Sequence, residues 1–323
     1  MTRPTAVARV ASDPSAVQLA TAALVLAVAG GSAAVGWVDL SLVDVFVLLG
    51  VAVVLPLALE GTWEWVLAAV AVGVSLVMPV GPLAAGLAGA WLAAGAIATV
   101  RAVNRSSWRR PSIDEAARVV AGAYSLVAGV AFVSSRLGLS LFGVGEPIVE
   151  LTAVHYTYAG CAALVLAANA LKHADGRWTR LGLGAVALSA AAPVIVAAGF
   201  VTHIALAQVG GAVAMALGVW CTATLELRLA RGEHSRLERI LLFVSGAVIW
   251  LPMVLAVAWA AGQYWDFPAL SIPAMERTHG VANSLGFVIA GLLAWWLSAH
   301  AAHQRPEHRN LARSHDVAEA EVA

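Results

Sequence analysis

Residues 239–261 of the chain read RILLFVSGAVIWLPMVLAVAWAA. After the initial arginine the run contains no charged residue, and its length matches the about 20 apolar residues that an α-helix needs to cross a bilayer. Nine further segments share this character, so the sequence predicts an all-α, polytopic transmembrane bundle of about ten helices. The predicted spans are 17–38, 40–59, 63–80, 82–103, 115–136, 148–171, 179–201, 204–227, 239–261 and 276–299.

The composition excludes several other classes of protein. Of the 323 residues, 61% are hydrophobic and 12% are charged, whereas soluble domains are about half apolar and about a quarter charged. No segment alternates apolar and polar residues as the strands of a membrane β-barrel do. With 19 basic and 19 acidic residues the net charge is zero, which predicts no nucleic-acid partner. The chain has no P-loop, so we expect no ATP site.

The basic residues predict the orientation. If the N-terminus is cytoplasmic, all but two of the 19 basic residues lie on the cytoplasmic side, and only Arg136 and Arg277 lie outside. Since cytoplasmic loops are enriched in arginine and lysine, we predict that both termini are inside. The prediction comprises one transmembrane domain over 1–300 and a polar cytoplasmic tail over 301–323. We expect the lipid bilayer of a bacterial cytoplasmic (inner) membrane as its environment.

Polar residues inside the predicted spans concentrate in the outer half of the bundle. Ionisable groups within a membrane are unfavourable, and they usually face the bundle interior or a water-filled cavity. Asp44, His155 and His279 each lie one or two turns from the outer end of their span, so we predict a polar pocket there that takes a small molecule or a lipid. The predicted substrate-binding residues are His155, Tyr156, Thr157, Tyr158, His279, Asn283, Glu276 and Asp44.

The spacing around His279 predicts how its imidazole is held. Glu276 and Asn283 lie three residues before and four residues after His279, on the same face of an α-helix. Either could orient the ring and leave the second nitrogen for a substrate or an ion. The candidate catalytic residues are therefore His279, His155 and Glu276. The same three are the candidate metal ligands, because Glu-x-x-His spacing serves metal sites in helical bundles. A divalent metal is an alternative that the sequence does not favour, and the cofactor is otherwise left open.

Two stretches resemble the YndJ-like family of bacterial multi-pass membrane proteins, namely LTAVHYTYAG over 151–160 and MERTHGVANSLGF over 275–287. The family carries His-x-His-Tyr-Ala-Gly-Phe in the first and His-Gly-x-x-Asn-x-x-Gly-Phe in the second. Here Thr157 replaces the second histidine, which weakens a metal site, and Cys161 replaces the phenylalanine. The resemblance covers motifs in the second half of the chain, and the N-terminal helices resemble the family only in hydropathy. It implies a membrane protein that is sometimes labelled a transporter.

Three functions from different classes remain open. The favoured one is a membrane protein that binds or transports a small solute in a pocket around His155 and His279, because the polar groups lie at one depth. The second is an intramembrane enzyme for a lipid or isoprenoid-like substrate, with His279 as general acid/base or with a bound metal. The third is a non-catalytic membrane binding or assembly protein. All depend on whether the two imidazoles are neighbours.

Overall fold

The computed structural model describes residues 40–107, 109–232 and 234–301. Within these residues the chain is helical, and its one β feature is an isolated bridge between Leu141 and Val144. The predicted span 17–38 and nearly all of the predicted tail lie outside the described residues. The all-α class is confirmed. The helices of the described part are α1 Leu42–Ala58, α2 Trp63–Val77, α3 Pro82–Arg105, α4 Ile113–Arg136, α5 Ile148–Lys172, α6 Arg177–Thr202, α7 Ala205–Leu229, α8 Arg236–Gly262 and α9 Ile272–Ala301.

Seven of these helices, α3 to α9, have the length and hydropathy of membrane spans, while α1 and α2 are apolar but shorter. Helices of 24 to 30 residues are at least about 36 Å long, which exceeds the about 30 Å thickness of the hydrocarbon core. The chain is therefore an integral membrane protein. Each helix begins and ends within about four residues of a segment expected from hydropathy, whereas the number of crossings and their direction stay predictions.

Helix α5 lies at the centre of the bundle. It contacts α1, α4, α6, α7 and α9, and 67% of its apolar stretch is buried, against 28–50% for the other six long helices. Its second half reads AGCAALVLAANA over 159–170, and such small residues let neighbouring helices approach closely where lipid provides no hydrophobic drive. Side chains at the start of α5 therefore lie close to several other helices.

Ion pairs gather at one end of the bundle, around the loops that follow α1, α3 and α5. These loops share one end because successive helices run in opposite directions, and they are loops predicted to face the cytoplasm. Exposed pairs contribute only about 0–1 kcal/mol each, but the Glu64 side chain is just 4% exposed. The pairs are Arg101–Glu64, Arg105–Glu60, Arg118–Glu60, Arg118–Asp114, Lys172–Asp114 and Arg228–Asp175.

At the opposite end Arg136 has a structural role. Its guanidinium group, at the end of α4, donates hydrogen bonds to the carbonyl oxygens of Ser75 (2.9 Å) and Met78 (2.6 Å). The last carbonyl groups of a helix have no partner within the helix, so the cation caps the end of α2. This contact accounts for one of the two arginines predicted on the outer side.

Four π-helical segments interrupt the α-helices, and in the described part of the chain all of them lie in α1, α5 and α9. These three helices contact one another through them. The segment in α1 comes just before Pro56, which has no N–H to continue the ladder. Such segments are rare and frequently occur at functional sites, and the sequence analysis did not predict them. They are Gly50–Val54, Tyr156–Ala162, Glu276–Gly280 and Ala282–Ile289.

Candidate functional site

The candidate site lies where α1, α5 and α9 meet. The hydroxyl group of Tyr158 on α5 donates to the Phe46 carbonyl oxygen on α1 at 3.0 Å. The Phe46 ring reaches α9, where it would lie 2.8 Å from a Cβ at Gly280. On the same interface the Thr157 methyl group would lie 3.1 Å from a Cβ at Gly50. Two glycines thus allow the close approach of the three helices that carry Asp44, His155 and His279.

The polar side chains that follow His155 serve packing. Thr157 and Tyr158 are 1% and 3% exposed, and the Thr157 hydroxyl donates to the Ala153 carbonyl oxygen at 2.8 Å. The Tyr156 hydroxyl donates to the Pro193 carbonyl oxygen on α6 at 3.4 Å. Buried hydroxyl groups take such backbone partners where water is excluded. Tyr156 and Tyr158 therefore connect α5 to α6 and α1, whereas the Thr157 hydroxyl bonds within α5. That these three residues contact a ligand stays a prediction.

His155 lies at the end of the first α-helical part of α5. Its Nδ1 atom is 2.7 Å from the Leu151 carbonyl oxygen. Because a carbonyl oxygen can only accept, Nδ1 carries the hydrogen, and Nε2 of the neutral ring is a free acceptor. The His155 side chain is exposed, so its Nε2 atom can be reached from outside the bundle core.

His279 has the same tautomer but a different partner from the one expected. Its Nδ1 atom is 2.8 Å from the Pro252 carbonyl oxygen on α8, which again leaves Nε2 as a free acceptor. The expectation that Glu276 or Asn283 orients the ring is wrong, because Pro252 does. The reason is the π-helical segment around His279. Its wider turns bond residue i to i+5, so side chains three or four residues apart no longer stack as they do in an α-helix.

The two imidazoles are contributed by α5 and α9, which touch through their π-helical segments. A charge on one ring acts on the other, and a single pocket lined by both rings stays a prediction. Both present Nε2 lone pairs, so the neutral pair accepts hydrogen bonds from hydroxyl or amino groups. A proton on either ring converts that Nε2 into a donor. The pair can therefore bind a polar ligand and exchange protons.

Asp44 and Glu150 form an acidic group at the start of α1 and α5, with Glu146 and Arg136 nearby. The Asp44 carboxylate accepts hydrogen bonds at 2.7 Å from the backbone N–H and the hydroxyl group of Ser41, which precedes α1. No donor of the described chain reaches Oε1 of Glu150. This acidic pair lies about 8 Å along α5 from His155, given the rise of an α-helix.

The candidate metal ligands do not form a cluster. Among residues 40–107, 109–232 and 234–301, no three or more His, Cys, Asp or Glu side chains converge closely enough to hold a metal ion. The proposed set of His155, His279 and Glu276 is therefore not assembled as a ligand group. Two imidazoles alone fall short of the three protein ligands typical of catalytic zinc sites.

Glu226 was not predicted as a site residue. The side chain is fully buried on α7. Its Oε2 atom is 2.6 Å from the Ser245 hydroxyl on α8, and this hydroxyl is 2.8 Å from the Phe287 carbonyl oxygen in a π-helical segment of α9. The available signal was a carboxylate within span 204–227. Its position close to the end of that span gave no indication of its long-range partners.

Comparisons with known proteins agree with the motifs. No curated protein and no solved structure matches the chain. A family model described as YndJ-like protein matches residues 45–287, including both histidines of the site. The match begins in α1, so the similarity extends beyond the second half of the chain, where the motifs alone had located it. Because it covers well over half of the 323 residues, the chain belongs to the YndJ-like family.

Proposed function

We propose that this YndJ-like protein binds a small solute in the outer half of its bundle and transports it across the bacterial cytoplasmic membrane. His155 and His279 are the proton-exchanging contacts, and both termini are cytoplasmic. One observation carries the proposal. On α5 and α9, two helices that touch, a backbone carbonyl oxygen accepts from Nδ1 of each imidazole and leaves Nε2 free, and a charge on one ring acts on the other. An intramembrane ionisable group is functional by default.

The tautomers define the chemistry of the solute. Two Nε2 acceptors favour a ligand with hydroxyl or amino donors. Protonation of His155 or His279 replaces an acceptor with a cationic donor, which breaks that hydrogen bond and repels an ammonium group. Binding of a proton and binding of the solute therefore oppose each other, and by linkage each shifts the affinity for the other equally. This opposition is the requirement for exchanging protons against a solute.

Interrupted helices beside the site support movement rather than static binding. Helix α8 is broken at Ile249, between Val248 and Trp250. Pro252 lies just beyond and has no N–H for the Val248 carbonyl group. Transporters place discontinuous helices at their binding sites, where backbone groups are available to the cargo. Here the broken helix also supplies the carbonyl oxygen that holds His279.

The test uses full-length protein in liposomes that contain a trapped pH-sensitive dye. Hydroxylated and amine-bearing solutes are added outside one at a time, and both solute uptake and internal pH are recorded. We expect His155→Gln and His279→Gln each to reduce uptake and the accompanying pH change by about tenfold or more, the loss expected for one hydrogen bond to a charged or polar group. Both effects should appear with the same solute.

The matched control is His173→Gln. His173 has the same geometry, with Nδ1 3.0 Å from the Asn169 carbonyl oxygen, at the other end of α5. Its replacement should leave uptake unchanged. If His155→Gln and His279→Gln also transport like the unaltered protein, the pocket is not the transport site. Conversion of the liposome lipid by the unaltered protein, lost in His279→Gln, would instead identify an intramembrane enzyme.

A further inference from the structure

A second candidate site lies at the other end of the bundle, between the end of α7 and the start of α8. It is a groove of about 440 Å³. Four of its lining residues lie on α8, at positions 236, 239, 240 and 243. This spacing places them on one face of the helix. Leu227 in the last turn of α7 and Arg231 just beyond its end are four residues apart. The residues that matter are Leu227, Arg231, Arg236, Arg239, Ile240 and Phe243.

The three arginines of this groove have no acidic partner among the described residues. Arg231, Arg236 and Arg239 take part in none of the ion pairs there. The nearest acid on α8, Glu238, points into the bundle, where it accepts a hydrogen bond from Ser298 at 2.6 Å. The groove therefore presents three exposed cations at one helix junction.

Apolar side chains continue the groove below the arginines. Ile240 and Phe243 are 48% and 59% exposed, and Phe243 lies about 10 Å along α8 from Arg236, given the rise of a helix. Exposed apolar side chains on a membrane span face hydrocarbon. The order of groups, cations at the helix end and an apolar wall beneath them, matches the order of a phosphate and an acyl chain in a phospholipid.

We propose that this groove binds an anionic phospholipid of the adjacent leaflet. The phosphodiester lies among Arg231, Arg236 and Arg239, whose planar guanidinium groups match phosphate oxygens, and an acyl chain lies along Ile240 and Phe243. Basic pockets between transmembrane helices on the cytoplasmic side recognise such headgroups, and this end of the bundle is the basic one. A zwitterionic lipid binds more weakly because its own ammonium group is repelled.

The test measures lipid binding to delipidated full-length protein in detergent by native mass spectrometry. Phosphatidylglycerol is compared with phosphatidylcholine of the same chain length and with inorganic phosphate. Since each basic residue near a membrane surface is worth about fivefold in affinity, R231Q/R236Q/R239Q should weaken phosphatidylglycerol binding on the order of 100-fold. The matched control is R109Q/R110Q/R180Q, in which three exposed arginines outside the groove lose their charge. It should bind like the unaltered protein.

Two single variants protect the test against misfolding of the triple variant. R236Q should weaken binding about fivefold, and Phe243→Gln, with no change of charge, roughly tenfold. The proposal is overturned by equal binding to the triple variant, by equal binding of phosphatidylcholine, or by inorganic phosphate that competes fully while Phe243→Gln has no effect. It is also overturned if binding requires removal of residues 302–323, since the groove would then belong to the chain's own polar tail.

Discussion

The buried group of Glu226, Ser245 and Phe287 allows a quantitative prediction about stability. A serine hydroxyl has a single hydrogen, yet the Ser245 oxygen lies 2.6 Å from Glu226 and 2.8 Å from the Phe287 carbonyl oxygen. If the hydroxyl donates to Phe287, Glu226 must itself be the donor to Ser245, as a neutral carboxylic acid. We therefore expect Glu226→Gln to be tolerated, because the amide supplies an N–H donor in the same place.

The expected free energies of unfolding follow from the contacts. Ser245→Ala leaves the Glu226 carboxylic acid buried without this partner, whereas the Phe287 carbonyl group keeps the Ala290 N–H. An unsatisfied buried group is worth about 1–3 kcal/mol, so the variant should lose about 1–3 kcal/mol. Glu226→Gln should change stability by less than about 1 kcal/mol. The control is Thr224→Ala, since that hydroxyl bonds only the Trp220 carbonyl oxygen of its own helix, at 2.7 Å.

The assay is thermal unfolding of the purified protein in one detergent, at pH 7 and a fixed scan rate. At about 2 °C per kcal/mol for a chain of this size, Ser245→Ala should lower Tm by about 2–6 °C. Glu226→Gln and Thr224→Ala should stay within about 2 °C of the unaltered protein. A rise of more than about 5 °C in Glu226→Gln would refute the reasoning. It would mean that the substitution had removed a buried, unpaired charge.

Two further substitutions test the close contacts of the fold, with Tm as the measurement. Gly50→Leu should destabilise the protein by about 1–3 kcal/mol through overpacking, because a Cβ there would already lie 3.1 Å from Thr157. The control is Gly86→Leu, which has open space around it and should have little effect. Equal Tm values for the two variants would contradict the packing argument. Arg136→Gln should lose about 1–3 kcal/mol because two carbonyl groups at the end of α2 lose their donor. Arg277→Gln is its exposed control, and a similar loss there would show that the charge matters rather than the cap.

The positions of the helices could be predicted because a bilayer imposes a local rule. Any segment that crosses it needs about 20 apolar residues, and this requirement is visible in the sequence around each span. The segment 239–261, for example, lies within α8, Arg236–Gly262. The depth of the polar groups within the bundle could be predicted for the same reason. His155 and His279 could be expected in neighbouring regions because each lies near the same end of its span.

The partners of those histidines could not be predicted, because they depend on long-range packing. His279 bonds Pro252, which lies 27 residues away on another helix. The spacing rule that suggested Glu276 assumes α-helical turns, whereas His279 lies in a π-helical segment. Local sequence does not specify such a segment, since no proline occurs within it. Gly280 packs against the Phe46 ring of α1, and this contact, which accompanies the π-helical segment, is visible only in the structure.

The contacts between α8 and α9 connect the histidine pair to the buried acid. On one side of the break at Ile249 the Pro252 carbonyl group holds His279, and on the other side Ser245 donates to Phe287. His279 and Phe287 are eight residues apart, or about 12 Å along α9. A shift of α9 against both parts of α8 therefore changes both hydrogen bonds, because α9 carries one partner of each. Two proton-binding groups on opposite sides of a helix break are thus joined by backbone contacts, which is the physical link that coupling between them requires.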